Sequence, residues 1–333
     1  MPGMIDLHTH VAGSGYNDMV FQINSGLRVS ANVRPMNPLL RRELEAGVTC
    51  VLFIPGSGTN MGGAGVLLKT GFESYKRSLV RDPGSLKVAQ GDNPTRWLYG
   101  MGRTLMNFHI RGTIRRGQAY AKAWQEYEDG SGPEPERMLQ LDIFRDLFAK
   151  RTQISTHTQI YQLVLMSITM LKGEFGLDVY IDHGEWAGFK TAPLAQELGV
   201  AAIIGPREID TFADSRFDTD GAILSVSGEY QRRGLKQIGF NTDAGVVAGE
   251  LLPLQAAMGV RYGFDNSQMD AVRGLTIVPA QVAGIDDRVG SLEVGKDADI
   301  VVTTGDPADP RHSVLVVWIE GERVYETQGV RRW

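Results

Sequence analysis

A chain of 333 residues and 36.5 kDa, 42% apolar and 22% charged, is a globular chain with enough length for one large core and a small second domain. Its 34 Lys and Arg against 39 Asp and Glu leave a formal net charge of −5, which argues against a broad nucleic-acid footprint. No apolar run reaches the roughly 18 residues of a spanning helix, so no membrane partner is expected. Cys50, the only cysteine, excludes an internal disulfide and reads as a buried, inert thiol.

In chain order, strand-like runs fall at 4–10, 48–54, 65–69, 85–89, 153–157, 178–183, 200–204 and 236–242. Eight such runs are the number a closed α/β barrel requires. VLFI, VYID and AAII are almost wholly apolar, as strands covered on both faces are. Helical periodicity lies between them: Leu139, Ile143 and Leu147 repeat at four-residue steps, and Ile160, Leu163, Val164, Ile168 and Leu171 mark one face of the next helix. Alternating strand and helix predict a parallel sheet. Two stretches exceed a minimal barrel. One is the glycine-rich loop 56–65, which lacks the Lys-Ser/Thr ending of a phosphate-binding loop; the other is 90–135, with Trp97, Tyr99, Phe108 and Trp124, long enough to be a lid or binding loop. Beyond about residue 285 the pattern changes to antiparallel signals with a tight turn at Glu320-Gly321, giving a barrel over 1–285 and a small β-domain over 286–333.

Four of the six histidines close apolar runs: His8 and His10 in MIDLHTH, His157 in QISTHT and His183 in DVYIDH, while QIGFNTD ends in Asp243. Residues two apart on a strand share a face, so His8 and His10 can grip one ion, with Leu7 and Thr9 turned away and Asp6 on the histidine side. Neutral imidazoles with a carboxylate suit Zn²⁺ or a similar divalent ion. Asp6 reads as a partner to the ligands or as a carboxylate satisfied by backbone amides. Asp182 alternates away from His183 and reads as structural. His109 and His312 lie off the pattern. Arg111, Arg115 and Arg116 read as a solvated helix start, with an anion clamp as the alternative.

In this order, PGMIDLHTH, ISTHT, VYIDHG and FNTDAG, followed by VGSLEVGKDADIVV and VLVVWIEGERVYE, resemble the amidohydrolase superfamily of metal-dependent hydrolases, nearest to its imidazolonepropionase-like branch. The resemblance implies a (β/α)8 barrel, one or two zinc ions, and ligands His8, His10, His157, His183 and Asp243. It implies cleavage of a C–N bond in an amide, cyclic amide or acyl-amino-acid substrate by metal-activated hydroxide, with Asp243 as proton shuttle and His183 polarising the carbonyl or binding a second ion. Deamination and a metal-free barrel serving as a binding or assembly module are the alternatives. Binuclear members bridge their ions with a carbamylated lysine; Lys87 is the best-placed candidate and Lys69 the second, against the plain reading of a strand-end lysine in solvent. Asp297 and Asp299 belong to the small domain, away from the metal. Family members carry several tens of residues ahead of the first motif, whereas here it begins at residue 2. An incomplete sandwich with exposed edges at 298–303 and 314–325, and a homo-oligomer, are therefore expected; localisation is not legible, cytoplasmic being the default.

Overall fold

The computed structural model describes residues 1–14, 21–97, 102–210 and 223–327. Eight strands form one sheet in sequence order: β1 (Met4–Thr9), β2 (Val48–Phe53), β3 (Met61–Lys69), β4 (Leu79–Ala89), β5 (Gln153–Ile160), β6 (Val179–Trp186), β7 (Ala202–Ile204) and β8 (Ile238–Phe240). The segment after β8 returns to β1. Thr9 bridges Ala244 in the parallel sense, His10 N donates to Ala244 O at 3.0 Å, and Ala244 N donates to His8 O at 3.2 Å. The sheet is thereby drawn into a nearly closed α/β barrel.

One strand departs from the expected parallel pattern. β3 runs antiparallel to both β2 and β4. Residues 54–60 and 70–78 are the only links on either side, and a parallel crossover needs a dozen or more residues, so the chain must turn back. Residues 61–65, expected as part of a loop, lie inside this strand. Glycine is required there by geometry: Gly63 has φ +114°, and a Cβ on Gly65 would lie 2.7 Å from Ile54 Cγ2.

The region 90–135 is also more regular than the expected loop. Whereas α1 (Pro38–Glu45) lies between β1 and β2, this region holds α2 (Asp92–Trp97) and α3 (Arg103–Glu128), the latter burying Met106, Ile110, Ile114 and Tyr120. Gly117 admits the Phe144 ring of α4 (Asp142–Phe148), which a Cβ would meet at 2.2 Å. Arg111 and Arg115 share Glu174 at the surface, at 2.7 and 3.1 Å, and Arg116 donates to Thr113 Oγ1. They are helix-surface pairs and not an anion clamp. Tyr99 and the side chain of Trp97 lie outside the described residues.

The core has two layers. Ile5, Leu7, Cys50, Leu52, Leu67, Tyr180 and Ile203 pack together with Ala280 and Ala283 of α5 (Ile277–Ala283) and with Ile285 and Val289, while Met4, Val48, Val51 and Phe53 join the helices in a larger cluster. Each fully buried Leu, Ile or Phe contributes about 1.5–3 kcal/mol. Burial pushes the Cys50 thiol up to about 12. Among the described residues no helix is long and apolar enough to cross a membrane.

At the C-terminal end, β9 (Ile300–Thr303), β10 (Val314–Ile319) and β11 (Glu322–Glu326) form a small antiparallel sheet. Glu320 and Gly321 take φ 52° and 78°, as a tight hairpin turn demands. The edge expected at 298–303 is covered, and 314–319 lies inside the sheet. β10 is the central strand, and Met1–Gly3 line the outside of β9: Pro2 bridges Ile300 and Val301 N donates to Met1 O at 2.9 Å.

Candidate metal centre

The candidate ligands gather at the carboxyl ends of the barrel strands, where barrel enzymes build their sites. β1 reaches this arrangement through a bulge. Asp6 pairs with Val51 and Thr9 with Phe53, so three steps of β1 stand against two of β2. The extra residue breaks the two-residue alternation. Asp6 therefore does not share the side of His8: it accepts from the Thr242 hydroxyl and, at 2.9 Å, from the His8 amide, while Thr9 donates to Glu43 at 3.1 Å. His183 within β6 and Asp243 just beyond β8 take left-handed φ of 74° and 48°, a costly conformation for non-glycine residues that is concentrated at functional sites.

Hydrogen bonds fix the imidazole tautomers. His8 Nδ1 lies 2.7 Å from Asp182 Oδ2 and His10 Nδ1 2.9 Å from the Ile54 carbonyl; both partners only accept, so each Nδ1 carries a proton. In neutral His8 and His10, both Nε2 atoms then present lone pairs. These are 3.2 Å apart, and Asp243 Oδ1 is 3.2 Å from one and 3.3 Å from the other. Three acceptors thus converge within one ligand sphere. A single positive charge satisfies them, either a proton on His8 Nε2 or a cation. His183 Nδ1 donates to Gly205 O at 2.7 Å, leaving its Nε2 to face His157 Nδ1 at 2.9 Å. In this second pair one proton suffices, and Asn93 Nδ2 caps His157 Nε2 at 3.4 Å. Lys87 Nζ lies 3.4 Å from His8 Nε2 and 4.0 Å from Asp182.

The electrostatics describe the same demand. Burial alone would lower His8, but Asp182 and Asp243 outweigh it and lift the group to about 9. Burial would raise Asp243 and Asp182, yet the His8 charge holds Asp182 below, and Asp243 well below, its usual range. His183 falls to about 4 and His157 well below its ordinary value, chiefly through burial, so both are neutral and available as donors of electron pairs. Burial also lowers the Lys87 amine.

Residues 212–324 match the family model described as "Amidohydrolase family". Across 98% of this chain and 87% of its own, the crystal structure of an amidohydrolase from Thermotoga maritima MSB8 superposes with a TM-score of 0.87 at 27% identity. The chain is thus similar to amidohydrolases in sequence over residues 212–324 and in fold over almost its whole length. Among curated proteins, the amidohydrolase tasK of Hapsidospora irregularis is 24% identical over 97% of this chain, which spans only 36% of that relative's length. A Xaa-Pro dipeptidase with methionine in its active site shares the fold alone, at 18% identity and a TM-score of 0.54 over 98% of this chain and 86% of that one.

The chain brings His8, His10, His157, His183, Asp243 and Lys87 to one end of its barrel. The second lysine candidate is elsewhere: Lys69 is buried against the small sheet, paired with Asp299 and, at 3.0 Å, with Asp297. His109 lies on α3 beside Phe108, and His312 faces Thr304 at the surface. The sequence reading misassigned one acidic residue and missed another. Asp182 is not merely structural, because it holds the His8 proton in place and is itself fixed by Asn241 Nδ2 at 3.0 Å. The left-handed turn at His183 defeats the alternation that set the two residues on opposite faces. Glu185, fully buried and pushed up to about 8 by burial against the pull of Arg207, accepts from that guanidinium at 2.9 and 3.1 Å. Its place two residues after His183 was the available signal.

Proposed function

We propose that this chain is an amidohydrolase that cleaves a C–N bond, in an amide, cyclic amide or acyl-amino-acid substrate, with a divalent cation held by His8, His10 and Asp243. The observation that carries the reading is the convergence of their three acceptor atoms within 3.3 Å, with each imidazole proton committed to the opposite nitrogen. Zinc at these donors would act as a Lewis acid and lower the pKa of a water from about 15.7 to about 7. Asp243, ionised at neutral pH, takes the proton of the attacking water as the C–O bond forms. It returns that proton to the leaving nitrogen as the C–N bond breaks. His183, anchored through Nδ1 on Gly205, presents an Nε2 lone pair that suits a second ion; in this tautomer it has no proton to donate to the scissile carbonyl. Lys87 suits carbamylation: its buried amine is held towards the neutral form, which adds to carbon dioxide with release of one proton and contributes a carboxylate to the donor set.

The test is elemental mass spectrometry on the full chain loaded with zinc and bicarbonate, joined to hydrolysis of a panel headed by Xaa-Pro dipeptides and N-acyl amino acids. About two ions per chain are expected, with about one in Lys87→Ala and none in the double variant His8→Ala with His10→Ala. A folded chain that retains no metal would overturn the hydrolase reading and leave a non-catalytic barrel.

A further inference from the structure

The other end of the barrel holds a second polar site. A cavity of about 480 Å³ opens beside the starts of β5 and β6, lined by Arg81, Lys150, Arg151 and Lys172, with Asp178 as the one carboxylate in its wall. In a chain of net charge −5 this is a local excess of positive charge. The exposed members are partly engaged: Lys150 and Lys172 share Asp178 at 3.4 and 3.1 Å, and Arg151 pairs with Asp146 at 2.7 Å. Arg81 is different. Its Nη2 donates to two neutral oxygens, Gly84 O at 3.0 Å and Gln153 Oε1 at 2.6 Å, and among the described residues no carboxylate pairs with it.

Gln153 sharpens the point. Its Oε1 must face Arg81, since the reversed amide would set a donor against a donor, so the orientation of its Nε2 follows. That Nε2 is buried without an acceptor, as is Arg81 Nε, and Gln153 is only 4% exposed. Two buried donors without an acceptor, on two side chains that line one cavity, and a guanidinium that feels Asp146 only at a distance call for an acceptor carrying negative charge. The C-terminal end of α5 also reaches the wall, but its fractional negative charge is small beside four full positive ones.

The geometry points to a binding site for a small oxyanion, either free phosphate or the phosphate of a phosphomonoester, seated on Arg81 and Gln153 and flanked by Lys150 and Lys172. It is separate from the metal centre: Gln153 opens the strand that His157 serves near its far end, four residues or about 13 Å along. Occupancy would tie β4 to β5 at the end of the barrel where no catalytic group lies.

Calorimetric titration of inorganic phosphate into the zinc-loaded full chain, at constant ionic strength, tests this. One saturable site is expected, weakened roughly tenfold or more in the double variant Lys150→Ala with Lys172→Ala and lost in Arg81→Gln. The two lysines are surface residues, so their variant keeps the test valid should the Arg81 substitution unfold the chain. Retention of the site in the double variant His8→Ala with His10→Ala separates it from phosphate held at the metal. Glycerol phosphate binding more tightly than phosphate would assign the larger ligand, and the reverse order the free ion. Absence of a saturable heat, indifference to the lysine substitutions, or loss with the histidines would overturn the proposal.

Discussion

Replacing Asp182 by Asn tests whether this carboxylate sets the chemistry of His8. In the native chain Asp182 Oδ2 accepts the Nδ1 proton of His8 at 2.7 Å, while Oδ1 accepts from Asn241 at 3.0 Å. Asn241 cannot reverse without cost, because the same amide nitrogen donates to Ile203 O at 2.8 Å. An asparagine at 182 must therefore keep its oxygen towards Asn241 and turn its NH2 towards His8. That NH2 is a donor, so the His8 proton moves from Nδ1 to Nε2, the atom directed at His10 and Asp243. A charge-assisted hydrogen bond of this kind is worth about 1.5–3 kcal/mol, or roughly tenfold to over a hundredfold in an equilibrium constant. Zinc affinity should fall by about 10–100-fold, read by competition with a fluorescent chelator, while circular dichroism and the melting profile show a folded chain. Zinc affinity within about twofold of wild type in folded Asp182→Asn would refute the tautomer argument.

Lys69→Ala removes the cation buried between Asp297 and Asp299, and should cost about 3–5 kcal/mol in urea unfolding while leaving zinc content unchanged. A loss of zinc would instead return Lys69 to the metal centre. Glu208 supplies a pH-dependent term. Burial lifts its carboxyl from 4.5 to about 7 against the hydrogen bonds from Ser227 and Val226. Between these values the unfolded chain has released the proton and the native chain still holds it, so stability falls as pH rises from 4.5 to about 7 and is level above. The full term is about 3 kcal/mol. Glu208→Gln should therefore gain stability over wild type progressively across this window, and parallel profiles for the two proteins would remove the assignment.

Much of the barrel was legible because its strands are buried on both faces and end in chemically distinctive residues. His157, His183 and Asp243 each close an apolar run, and no local feature disguises that. β3 was misread because MGGAG offers no side chains to alternate, and its direction is decided by the length of the links, which only the strand boundaries reveal. α3 was taken for a loop because Gly112, Gly117 and a run of arginines break its apolar stripe, which is completed by packing on α4. Asp6 and Asp182 were placed on the wrong faces for one reason: the two-residue rule assumes a regular strand. The bulge before Thr9 and the left-handed backbone at His183 suspend it where the site is built.

The reversed strand has a consequence for redesign. Most barrel strands present a loop at the mouth that can be lengthened or exchanged without disturbing the scaffold. Between β2 and β3 the mouth instead receives a short, largely buried turn over 54–60, and its first carbonyl, that of Ile54, dictates which nitrogen of His10 is free. One wall of the entrance thus fixes a nitrogen of the proposed metal centre. An insertion here would disturb the proposed metal centre before it changed the substrate pocket, so this turn is the wrong place for loop grafting.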